Sequence, residues 1–119
     1  MKSILSYFKR KEKEGYLPPK IFQQWKTSGK AFVLIDERTI EEFHERHIPD
    51  AIVFPVQIIE THFQSHFPNR NQTYVLYCRS GIRSYHALVI LKNMGYKDVY
   101  DMGGIIHYPY ETIDPKLGV

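Results

Sequence analysis

The chain of 119 residues holds a single cysteine, Cys78, and its neighbours decide what it can do. A lone cysteine is most often a small buried hydrophobe. It can form neither an intramolecular disulfide nor a cysteine-rich zinc site. The segment Cys78-Arg79-Ser80-Gly81-Ile82-Arg83-Ser84 argues for a reactive sulfur instead. Cys78 closes Thr73-Tyr-Val-Leu-Tyr77, a run of aromatic and β-branched residues that reads as a strand. Ser80 and Gly81 suit tight backbone curvature. From Arg83 onward, Ala87, Val89, Ile90, Leu91 and Met94 recur as in a helix, with Gly95 as its expected C′ residue. A helix N-terminus offers free N–H groups and a favourable dipole to an anion, and Arg79 and Arg83 add two permanent cations. Each of these lowers the cost of a thiolate. Cys78 is therefore the expected nucleophile, and Arg79, Ser80, Gly81, Ile82, Arg83 and Ser84 form the loop expected to bind its substrate.

Other residues of chemical interest carry weaker arguments. Asp36 and Arg38 lie just past the end of an apolar run, where such a pair organises a sheet edge, although Arg38 could also steer an anion. His62 and His66 are four apart on an expected helix, a spacing that can hold a metal. With no third histidine or carboxylate beside them, solvated histidines are the better reading, and no metal or cofactor is expected. His86 falls in the helix after the cysteine loop, but the first helical turns point it away from the mouth. The tyrosines and phenylalanines read as core, not as a base-stacking platform.

The elements that must position Cys78 alternate strand and helix. Pro19 can open a helix through Ile21, Phe22 and Trp25 that stops before Gly29. Ala31-Phe-Val-Leu-Ile35 is a short unbroken apolar run, the pattern of a strand buried on both faces. Thr39-Ile-Glu-Glu42 is a capping box that starts a helix to about Arg46. Ala51-Ile-Val-Phe54 reads as a second strand, and residues 58–66 as a helix ended by Pro68-Asn69. Asp98-Val-Tyr100 is a short strand, after which Gly103-Gly104 should begin a turn and a further helix. This order predicts an α/β fold, an open parallel sheet of about five strands with helices on both faces. Ligands of such sheets bind beyond the carboxyl ends of the strands, where Cys78 stands.

Composition excludes several classes. At 43% hydrophobic and 24% charged residues the chain is an ordinary globular protein. No apolar run approaches the roughly 20 residues of a membrane helix. The short apolar cluster at the N-terminus precedes its charges, the reverse of a secretory signal, so a cytoplasmic location is expected. A net charge of +3 without a basic cluster gives no case for nucleic acid. Residues 1–16 stand apart as an N-terminal extension before a domain over 17–119.

The cysteine loop resembles the active-site loop of rhodanese-like sulfurtransferases, and other segments agree in order and spacing. Leu34-Ile-Asp-Glu-Arg-Thr-Ile-Glu-Glu-Phe43 is similar to the family's first strand and helix, with its Asp-x-Arg pair. His47-Ile48-Pro49-Asp50-Ala51 resembles the approach to the second strand, and Tyr96 to Tyr100 with Gly103-Gly104-Ile105 the closing strand and turn. The chain departs from the family at Arg46 and Asp50, where glycine is usual, and at Tyr108, where tryptophan is usual.

The resemblance implies a monomeric sulfurtransferase. Cys78 would take a sulfane sulfur from thiosulfate or another persulfide donor, then pass it to cyanide, an external thiol or an acceptor protein. Three alternatives remain: a sulfur-relay adaptor, a non-catalytic partner-binding module, and a phosphatase. Cysteine phosphatases follow Cys-x5-Arg, whereas four residues separate Cys78 from Arg83. Each residue adds up to roughly 3.5 Å of contour, so the cradle here is the smaller.

Overall fold

A computed structural model describes residues 15–115. Four strands, β1 (Val33–Asp36), β2 (Ile52–Val53), β3 (Thr73–Cys78) and β4 (Asp98–Gly104), form one parallel sheet in the order β2-β1-β3-β4. The helices are α1 (Pro19–Ser28), α2 (Ile40–Glu45), α3 (Ile59–His66) and α4 (Ile82–Asn93). The expected α/β architecture is therefore present with four strands. Gly15 and Leu17 also hydrogen-bond Asp101 along the outer edge of β4, at 2.8 and 2.9 Å. Residues 1–14, most of the expected extension, lie outside the described residues.

β3 is central and buried at every position, and its alternation builds two cores, because successive strand side chains point to opposite faces. Tyr74 and Leu76 join Ile35, Phe63, Leu91 and Val99 on the face covered by α3 and α4. Val75 and Tyr77 join Leu34, Met102 and Phe22 of α1 on the other. Aromatic rings pack in both cores. Phe63 lies within 5.4 Å, ring centre to ring centre, of Phe54, Phe67, Tyr74 and Tyr96. Edge-to-face contacts of this kind add to the area they bury.

The local signals mostly give the elements expected of them. Pro19 opens α1, and Gly29 closes it at φ 78°. Thr39 Oγ1 accepts from Glu42 N at 3.1 Å while Thr39 N donates to Glu42 Oε1 at 3.0 Å, which is the capping box of α2. Two expectations need correction. The second strand is only two residues long, because Ile52 is exposed at the sheet edge. β4 does not stop at Tyr100. Asp101 and Met102 are buried and the strand runs through Gly104, so the Gly-Gly pair ends a strand and only a 3-10 turn, Ile105–His107, follows. Of the family departures, Arg46 is extended at φ −171° and open to any residue, whereas Asp50 sits at φ 69°, where glycine is favoured. Tyr108 is buried, and its hydroxyl accepts from Gln23 Nε2 at 2.7 Å. No helix of the described residues is long and apolar enough to cross a membrane.

Candidate active site

Cys78 is the last residue of the central strand and is wholly buried. Gly81 makes the turn that follows it. At φ 105° it adopts a conformation that L side chains resist, and as the N-cap of α4 it aims its N–H at Cys78 Sγ, 3.0 Å away. The sulfur thus faces the start of a 12-residue helix, where a negative charge is favoured.

Ser84 stands beneath the sulfur rather than at the loop's mouth. Its Oγ is 3.5 Å from Cys78 Sγ, 3.2 Å from Gly81 O and 2.7 Å from Asp101 Oδ1. A hydroxyl has one proton to donate, and the short contact assigns it to the Asp101 carboxylate, which also accepts Gly103 N–H at 2.8 Å. Gly81 N–H is then the firm donor to sulfur. Ser84 ties the loop to β4. Asp101 is a residue that sequence reasoning missed, because Asp-Met-Gly-Gly reads as a turn.

The two loop arginines, alike in sequence, are held differently. Arg79 is exposed and makes no ion pair among the described residues. Ser80 and Ile82 are exposed beside it and complete the rim. Arg83 instead forms a two-pronged pair with Glu42, Nη1 to Oε1 at 2.8 Å and Nη2 to Oε2 at 2.9 Å. Its guanidinium still acts on Cys78 electrostatically, but its Nη1 and Nη2 donors are directed to Glu42.

Glu42 therefore caps α2 and anchors the start of α4. The hydrogen bonds from Arg83 come first among the influences that bring its carboxyl down from the ordinary 4.5 to about 2. A carboxylate with a lowered folded-state value stabilises the fold above its unfolded value, and loses that contribution as pH falls through the folded one. The wild-type urea midpoint should therefore decline between about pH 4.5 and 2, and the decline should be shallower in Glu42→Gln. Parallel declines would show that the pair adds nothing measurable.

Asp36 and Arg38 form a buried ion pair at the carboxyl end of β1. Arg38 N and Nε each donate to Asp36 Oδ1 at 2.9 Å, and Nη2 donates to Oδ2 at 2.8 Å. Tyr77 Oη also donates to Asp36 Oδ2, at 2.7 Å, and accepts from Ile48 N at 3.1 Å. Burial first, then the Asp36 charge, pushes the Tyr77 phenol up, so it stays a donor. Arg38 Nη2 reaches Arg46 O at 2.5 Å. This network ties β1 and β3 to the segment before β2.

The histidines stand apart. His86 is exposed on α4, whose buried side carries Ser84 and Ala87. His62 Nδ1 lies 2.7 Å from Thr61 Oγ1, and His66 Nδ1 lies 3.0 Å from His62 O. No group of three His, Cys, Asp or Glu side chains among the described residues is placed to hold a metal.

Glu37 is the second residue that sequence reasoning missed. It lies between Asp36 and Arg38 and is wholly buried, and neither carboxyl oxygen has a hydrogen-bond partner among the described residues. Burial first, then the negative charges of Cys78, Asp36 and Asp101, raises its carboxyl well above the ordinary value.

Comparison with known proteins identifies the family of the fold. Residues 18–106 match the family model described as Rhodanese-like domain. The chain is 34% identical over 95 residues to the probable adenylyltransferase/sulfurtransferase MoeZ of Mycobacterium tuberculosis, covering 79% of this chain but only 24% of that protein. It is also 34% identical over 71 residues to the thiosulfate sulfurtransferase PspE of Escherichia coli, covering 60% of this chain and 68% of that one. A solved rhodanese with anions from E. coli superposes with a TM-score of 0.65 at 30% identity, over 71% of this chain and 99% of the other. A family match over most of the described fold, with Cys78 at the head of its loop, places the chain in the rhodanese-like domain family.

Proposed function

We propose that this protein is a sulfurtransferase that carries sulfane sulfur as a persulfide on Cys78. The observation that carries the reading is the Gly81 N–H, 3.0 Å from Cys78 Sγ at the start of α4. A donor fixed in that position stabilises charge on sulfur without reorganising during the reaction.

With thiosulfate, the thiolate attacks the outer sulfur and forms the S–S bond of Cys78–S–S⁻. The bond between the two donor sulfurs breaks, and its electron pair leaves with sulfite. In the second half, cyanide or an external thiolate attacks the outer sulfur of the persulfide and returns Cys78 as thiolate. The acceptor is external, since these 119 residues hold no second cysteine to resolve the persulfide as a disulfide. Arg79, on the exposed rim, is suited to the anionic end of the donor. Two relatives are named for thiosulfate, and that donor is the first to test.

Incubation with thiosulfate should add the mass of one sulfur atom to the protein, and cyanide should remove it. Cys78→Ser should gain nothing. A mass gain that persists in Cys78→Ser would end this reading.

A further inference from the structure

Glu37 and Cys78 are neighbours across two strands. Asp36 pairs with Tyr77 in the β1–β3 register, and Glu37 N donates to Tyr77 O at 2.8 Å, so the next residues along each strand stand side by side. Glu37 is two residues from Ile35 and Cys78 two from Leu76, and both of those belong to the core under α3 and α4. Alternation carried one residue past the end of β1 puts Glu37 on that face, Ser84 of α4 meets Cys78 Sγ there, and the Cys78 charge acts on Glu37. The Glu37 backbone is held on both sides, since its carbonyl accepts from Val56 N at 3.2 Å. The carboxyl thus lies in the interior on the side of the sulfur, with no donor to either oxygen among the described residues.

Two adjacent buried groups that each form anions strongly disfavour a double charge. Where the single charge settles depends on which site has donors. The sulfur has Gly81 N–H and the start of a helix, and the carboxyl has none.

We propose that Glu37 is the proton partner of Cys78: the pair holds one proton, the carboxyl keeps it, and the sulfur carries the charge. Compared with Cys78–SH beside Glu37–COO⁻, this arrangement places the one proton on the carboxyl rather than on sulfur, with no change in net charge. The neutral carboxyl also spares the persulfide anion a like charge at its base. Glu37 acts through Cys78 and is a positioning residue.

Other ionisable groups near the pair are already engaged. Asp36 is matched by Arg38, Asp101 accepts from Ser84 and Gly103, Tyr77 stays neutral, and Arg83 of α4 is held by Glu42. The turn Val56–Ile58 contributes no ionisable side chain. Glu37 is accordingly pushed up by burial and by its anionic neighbours.

The inference rests on the sulfur-carrier reading, but its first test does not need turnover. Infrared spectra of the wild type at pH 7 should show a protonated carboxyl band that is absent in Glu37→Gln. Alkylating Cys78 with iodoacetamide removes the sulfur's charge, so the band should then disappear at lower pH than before. No band at pH 7, or a band indifferent to alkylation, overturns the proposal even if Glu37→Gln fails to fold. In the second test, wild-type kcat/KM for thiosulfate should fall about tenfold per pH unit once the second proton leaves the pair. Glu37→Gln should keep the acidic limb and lose the alkaline fall, whereas a profile identical to wild type counts against the pairing. If the wild type takes no sulfur from thiosulfate yet the band responds to alkylation, the substrate reading fails and the proton pairing stands.

Discussion

Gly104→Ala should reduce the rate of sulfur loading on Cys78 by about a hundredfold, because positioning this tight is sensitive to displacements near 1 Å. The glycine is not needed for its backbone angles, since its φ of −104° is open to any residue. It is needed for space. A methyl group there would lie 2.3 Å from Arg79 O, 2.6 Å from Ser80 Cα and 2.7 Å from Ser80 C. These are backbone atoms of the cysteine loop, and no rotamer change relieves them. The loop must lift from the end of β4, and the Gly81 N–H moves with it. Overpacking of this kind costs about 1–3 kcal/mol, which a domain of ordinary stability survives. The expected result is a folded protein, by circular dichroism, whose mass gain from thiosulfate is slow. Loading at the wild-type rate would show that the loop and β4 are not in registered contact.

The second large effect is on stability. Asp36→Ala should destabilise the fold by about 3–5 kcal/mol, the usual result of removing one partner from a buried ion pair. It strips the Arg38 guanidinium of its carboxylate and Tyr77 Oη of its acceptor in one step. Arg38 keeps the Arg46 carbonyl at 2.5 Å, the Tyr77 ring and the more distant charge of Glu42, none of which replaces a two-pronged carboxylate. A marginally stable domain would lose much of its reserve, seen as a lower urea midpoint with an unchanged slope. The double variant Asp36→Leu with Arg38→Met should recover part of the loss, since apolar replacement of both partners is often neutral. If Asp36→Ala unfolds at the wild-type midpoint, the network is decoration.

The phosphatase alternative weakens on geometry as well as loop length. The Nη1 and Nη2 donors of Arg83 that would form a two-pronged grip on a phosphate are directed to Glu42.

How far the sequence could be read depended on the range of each contact. The apolar runs at β1 and β3, the capping box at Thr39 and Glu42 and the glycine ends of α1 and α4 are local signals, and they held. The partners that shape the site are distant. Glu42 meets Arg83, and Asp36 meets Tyr77, across separations of 41 residues with no local trace. β4 was misjudged because Asp101 looks like a turn residue, whereas in the fold its carboxylate accepts Ser84. Glu37 was hidden by its neighbours. An Asp-Glu-Arg triplet reads as solvent-facing, yet carrying the alternation past Ile35 puts Glu37 inside, on the face that Cys78 shares.

The depth of Cys78 also bears on how the protein would age under oxidative stress. A thiolate open to solvent is carried by peroxide through sulfenic to sulfinic acid, and the last step is generally irreversible. Here the sulfur has no exposed surface, and the chain has no second thiol to trap a sulfenic acid as a disulfide. Protection has to come from exclusion. An oxidant must pass the same rim as a sulfur donor, so the rim that restricts substrates also sets the useful lifetime of the site.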